Sequence, residues 1–62
     1  MKKITASVEN VNVGTKLISK TNPEWGFFRV RDISNGIYEV STDHGHTVIF
    51  DNELKYWDII GR

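Results

Sequence analysis

The chain has 62 residues, and its eight basic and eight acidic side chains cancel. This neutrality excludes the whole-surface positive field of a typical nucleic-acid binder and leaves only local basic patches. Only 39% of the residues are hydrophobic, and a chain this short covers about 60% of its unfolded surface, so a deep substrate pocket would take side chains that the core needs. There is no cysteine, which excludes disulfides and thiolate metal sites and fits a reducing, cytoplasmic setting.

Taken in chain order, Met1-Lys2-Lys3 has the charge that opens a signal peptide, but Thr5, Ser7, Glu9 and Asn10 interrupt the apolar run such a peptide needs. Ile4, Ala6 and Val8 alternate with polar residues, so residues 1–10 read either as an extra strand or as a frayed terminus. Thr15 to Lys20 is a first β-rich run. Thr21-Asn22-Pro23-Glu24 breaks it, because Pro23 fixes its own φ and pushes Asn22 out of the helical region. A second run, Trp25 to Ile33, ends at Ser34-Asn35-Gly36. A third, Gly36 to Thr42, ends at Asp43-His44-Gly45, and both breaks offer residues that tolerate positive φ. His46 to Phe50 is the fourth run. Asp51 to Tyr56 opens with N-cap residue types and is long enough only for a 3₁₀ turn, after which Trp57 to Ile60 reads as a last strand. No stretch approaches the eighteen or so apolar residues of a membrane helix, so no membrane partner is expected.

Short strands separated by turns every eight to twelve residues predict an all-β sandwich or barrel formed by the whole chain. Period-two alternation then sorts the faces. Phe28 and Val30 fall on one face of the second run, while Trp25, Phe27, Arg29 and Arg31 fall on the other, which the arginines mark as outward. Ile33 is then out of phase, and a one-residue bulge near Arg31-Asp32 would return it to the core. The same phasing places Tyr38, Val40, Val48 and Phe50 inside, joined by Leu17, Leu54, Trp57 and Ile59.

This pattern resembles the SH3-like small barrels, the broad group that includes Tudor-like and KOW-type domains. The residues that carry the resemblance are Gly14-Thr15-Lys16-Leu17, then Gly26 to Ile33, then Tyr38-Glu39-Val40 after a tight turn, and the one-turn helix at Asp51 to Tyr56 before the final strand. The match covers residues 13–60. It implies a five-stranded antiparallel barrel with a single 3₁₀ turn before the last strand, and a binding module rather than an enzyme; fold alone does not fix function.

Two clusters invite a functional assignment. Trp25, Phe27, Arg29 and Arg31 alternate aromatic and guanidinium groups along one face. Such a stripe suits a protein contact, either with another chain or with a second copy, because aromatic residues and arginine dominate interface hot spots. The alternative is a nucleic-acid contact, with Lys16 and Lys20 joining the arginines and the rings stacking on bases. Against both stands a structural role, in which Trp25 covers a barrel end and the arginines pair with Glu39 or Asp32. An aromatic cage for methylated lysine from Trp25, Phe27, Tyr38 and Tyr56 conflicts with the core position of Tyr38. In the second cluster, Asp43-His44-Gly45-His46, two imidazoles and a carboxylate lie near one turn, but no third strong ligand accompanies the histidines, so a polar turn is expected rather than a metal site. No serine sits in a glycine-framed elbow, and there is no phosphate-binding loop or dinucleotide fingerprint. The expectation is a non-catalytic domain without cofactor or metal.

Overall fold

The structure is a computed structural model that describes residues 3–61, so the expectation for Met1-Lys2 as a leader start lies outside the described residues. Its strands are β1 (Ile4–Thr5), β2 (Lys16–Ser19), β3 (Phe27–Ser34), β4 (Ile37–Thr42), β5 (Gly45–Phe50) and β6 (Trp57–Gly61), with 3₁₀ turns at Pro23–Trp25 and Asp51–Tyr56. All pairings are antiparallel, and one sheet runs in the order β1-β6-β2-β3-β4-β5. The fold is therefore all-β, but with six strands rather than five. The sheet is not closed, since β1 and β5 remain its edges, and there are two 3₁₀ turns rather than one. The sixth strand comes from the ambiguous N-terminal segment, where Ile4 and Thr5 pair with Ile59 and Asp58. The additional 3₁₀ turn, Pro23–Trp25, follows from Pro23, whose fixed φ starts a tight turn in which the Gly26 N–H donates to the Pro23 carbonyl at 3.1 Å.

The β3–β4 hairpin follows directly from its turn residues. Asn35 (φ 50°) and Gly36 (φ 76°) supply the two positive φ angles of a type I′ turn. Pairing then runs Ser34↔Ile37, Ile33↔Tyr38 and Asp32↔Glu39, and resumes at Val30↔Val40, leaving Arg31 without a partner. This is the expected bulge. It points Arg31 and Asp32 outward together and turns Ile33 back against the core.

The β4–β5 hairpin corrects the predicted core. Read as a three-residue turn, Asp43-His44-Gly45 would pair Thr42 with His46 and bring Val48 and Phe50 inside. The structure instead closes a two-residue turn with Thr42 opposite Gly45, which puts Ile49 opposite Tyr38 and Thr47 opposite Val40. That one-residue difference reverses every side chain on β5. Ile49 is 2% exposed, while Val48 and Phe50 are 46% and 48% exposed. The other core assignments hold: Leu17, Phe28, Val30, Tyr38, Val40, Leu54 and Ile59 are buried, and Trp57 packs half-buried against them, edge-on to the Phe28 ring at 5.3 Å.

The N-terminal segment also supplies core. The Ala6 N–H donates to the Trp57 carbonyl at 2.9 Å, and Ala6 and Val11 are both buried. The Gly14 N–H donates to the Val30 carbonyl at 2.8 Å, fastening the segment to β3 where β2 begins. The second 3₁₀ turn buries Leu54 and packs against β1, β5 and β6, bridging one edge of the sheet to the other. At β5, the Asp51 N–H donates to the Gly36 carbonyl at 2.8 Å. By the two-residue alternation of antiparallel ladders, Gly45, Thr47 and Ile49 then face β4, and His46, Val48 and Phe50 turn their backbone groups to the open edge. One of these is satisfied, because the Phe50 N–H donates to Glu53 Oε1 at 3.2 Å.

Candidate binding groove

The loop after β2 sets the site. Ser19 is buried, and its Oγ accepts the Asn22 N–H at 3.0 Å and shares a hydrogen bond with Thr21 Oγ1 at 3.2 Å. The Asn22 carbonyl accepts the Trp25 N–H at 3.1 Å, and the Asn22 side-chain amide donates to Glu24 at 3.2 Å. Gly26, at φ 80°, then swings the chain into β3 through a conformation that a side chain would oppose. Trp25 therefore stands at the end of the first 3₁₀ turn, not on the strand where alternation puts it. Trp25 is 53% exposed, and Phe27, the first residue of β3, is 51% exposed.

The structure nevertheless brings all four expected residues together. Trp25, Phe27, Arg29 and Arg31 line one open groove of about 510 Å³, with Ser41, Thr42, Asp43 and His44 forming the opposite wall. The β3–β4 pairing puts Ser41 directly across from Arg29. The two-residue turn puts Asp43 and His44 at the end of the same groove. Lys16, opposite Arg29 on β2, holds its ammonium 5.3 Å from the centre of the Phe27 ring.

Among the described residues Arg29 and Arg31 share with Lys16 and Lys55 the lack of a carboxylate partner. Among the described residues no carboxylate lies within ion-pairing distance of Arg29 or Arg31, so the expected pairing with Glu39 or Asp32 is not formed. Lys20, by contrast, is held by Asp58 at 2.7 Å. The aromatic cage fails on its geometry, since Tyr38 is 4% exposed in the core. Among the described residues no three histidine, cysteine or acidic side chains converge as metal ligands. Asp43 and His44 instead form part of the groove wall, and His46 lies exposed on β5.

A second concavity, of about 360 Å³, has no counterpart in the sequence pattern. It is lined by Ser19, Thr21, Trp25, Val48, Ile49, Glu53, Tyr56 and Trp57, and it shows that the sheet curls, since residues of β2 and β5 share it. Trp25 borders both hollows. Sequence reasoning misses this hollow because alternation assigns Val48 to the core, and because Thr21, Glu53 and Tyr56 meet there only through tertiary folding. Among the described residues no helix is long and apolar enough to cross a membrane. The chain matches no protein-family model, no curated protein and no solved structure.

Proposed function

We propose that this chain is a non-catalytic binding module of SH3-like architecture that docks a segment of another protein in the groove of Trp25, Phe27, Arg29 and Arg31. Three features support the architecture. Leaving β1 aside, the strand order is β6-β2-β3-β4-β5, the long bulged β3 sits in its middle, and a 3₁₀ turn separates the last two strands. On this reading β1 is an added strand on a five-stranded, partly open barrel. A core without cysteine needs no oxidising compartment, which supports a cytoplasmic setting.

One observation carries the function: two half-exposed rings stand beside two guanidinium groups that no carboxylate of the described residues neutralises. A domain short of apolar residues gains stability by burying such rings, so rings left outside suit a partner. The polar hydroxyls of Ser41 and Thr42 on the opposite wall offer hydrogen bonds to a polypeptide backbone. A nucleic-acid contact has a narrower footing, because Lys20 is engaged by Asp58 and Asp43 adds negative charge to the groove.

Affinity capture with the wild-type chain and with Trp25→Ala tests the reading. A partner protein should be retained by the first and lost by the second, with the Trp25→Ala fold intact, since truncating a hot-spot aromatic removes about 2 kcal/mol or more of binding. Partners retained equally by both would show that the groove is not the docking site.

A further inference from the structure

We infer that the docked segment is bipolar and crosses Trp25, with acidic residues over Arg29 and Arg31 at one end and apolar and basic residues over Val48, Tyr56 and Glu53 at the other. This inference rests on the groove being a protein-docking site and specifies the chemistry of what docks there. Half-exposed Trp25 lines both concavities, so a segment that fills both would pass beside it. Their charges are opposite. In the first hollow two guanidinium groups outnumber the single carboxylate of Asp43, and neither guanidinium has an acidic partner among the described residues. In the second the one charged side chain of the lining is that of Glu53, which accepts the Phe50 N–H through Oε1 and is otherwise open to solvent, with the Lys55 ammonium 5.4 Å from the centre of the Tyr56 ring behind that wall. Its apolar walls, Val48 and Tyr56, are 46% and 51% exposed.

A ligand complementary to the whole surface therefore carries negative charge on one half and apolar or positive groups on the other. A polypeptide can supply that pattern. A single-stranded nucleic acid carries a phosphate at every step and would set its backbone against Glu53, with Glu24 exposed nearby on the turn that carries Trp25. The molecule measures 28 × 25 × 20 Å, so an extended segment rising about 3.3 Å per residue crosses one face in roughly six to eight residues.

Selection of random twelve-residue peptides displayed on phage against the full chain tests this directly. Enriched sequences should hold an acidic cluster separated by a few residues from an apolar and Lys- or Arg-containing cluster. A selected peptide titrated into labelled protein should shift the resonances of Arg29 and Arg31 together with those of Val48 and Tyr56. Arg29→Glu combined with Arg31→Glu, both exposed and expected to keep the wild-type melting temperature, should weaken that peptide at least tenfold and redirect a new selection away from acidic clusters. Glu53→Gln retains an acceptor for the Phe50 N–H and should erase only the preference for the basic end. Shifts confined to one hollow, or enrichment without acidic residues, would overturn the bipolar segment while leaving a protein-docking groove. Failure to enrich any peptide would overturn both, as would a salt-sensitive complex with an eight-nucleotide oligothymidylate that shifts Trp25 to Arg31.

Discussion

Neighbouring residues on β5 give the sharpest test of the structure, because Ile49 and Val48 are adjacent, chemically similar and oppositely placed. Ile49 is 2% exposed and opposite buried Tyr38, so Ile49→Ala deletes about three buried carbon groups. At roughly 0.8 kcal/mol each, the lost transfer energy is about 2.4 kcal/mol, and the residual cavity raises it within the 2–5 kcal/mol typical of such truncations. Val48 is 46% exposed, so Val48→Ala removes two groups at about half that value, or under 1 kcal/mol. A domain of 62 residues has about 3–9 kcal/mol in total, so the first variant should lose a large share of its stability and the second little. In urea, with an m-value near 1 kcal/mol per M, the midpoint should fall by about 3 M for Ile49→Ala and by under 1 M for Val48→Ala. Equal losses, or a larger loss at Val48, would show that the hairpin closes on three residues and that the β5 register is wrong.

Phe28→Ala should cost about 3–5 kcal/mol and leave the domain largely unfolded, because Phe28 is buried and meets the Trp57 ring edge-on; circular dichroism would report it. Gly36→Ala should lose about 1–2 kcal/mol from its positive φ, and Gly26→Ala up to about 3 kcal/mol, because φ 80° with ψ −168° is a conformation essentially reserved for glycine. Gly26→Ala should lose more although the space beside it is open, because its backbone strain cannot be relieved, whereas the Asp51 Oδ2 that a Cβ at Gly36 would meet at 2.9 Å is the tip of an exposed side chain that can move. Equal denaturant midpoints for the two would contradict that ranking. Lys20→Met should lose at most about 1 kcal/mol, since the Lys20 ammonium is partly exposed, and the loss should shrink in 1 M salt, where the screening length falls to about 3 Å. Trp25→Ala should cost about 2 kcal/mol, since nearly half of the residue is covered and counts as the Val48 side chain does, and should still leave the domain folded; complete unfolding would make Trp25 a structural side chain.

The parts of the fold legible in the sequence are those fixed by local chemistry. Asn35-Gly36 dictates its own turn, the arginines mark the outward face of β3, and Ile33 announces the bulge by falling out of phase with the apolar residues ahead of it. Asp51 to Tyr56 is legible as a 3₁₀ turn from its polar start and its length, although the N-cap position falls on Phe50 and Asp51 is the first residue of the turn. The phase of β5 is not legible, since Val48, Ile49 and Phe50 are consecutive apolar residues and both phases bury something. The choice between them depends on whether Gly45 belongs to the turn or to the strand. Ala6 and Val11 are hidden for a different reason: their burial is created by contacts with distant strands, not by any pattern in residues 1–14. Four residues of the groove can be read from one strand-like run. Its far wall and the second hollow depend on register and curl, which are properties of the assembled sheet.

The bulge at Arg31 also separates the inheritance of the site from that of the core. Because Arg31 has no partner on β4, it occupies the strand as a supernumerary residue. Removing it would restore strict alternation, with Phe28, Val30 and Ile33 still inward and Phe27, Arg29, Asp32 and Ser34 still outward. Removing any single residue from Phe27 to Val30 would instead invert the strand on one side of the gap. A shortened chain lacking Arg31 should thus fold and melt close to the parent while losing one of its two groove cations. Position 31 is where a lineage, or an engineer, can add or subtract recognition by changing the length of the chain without renegotiating what lies beneath it.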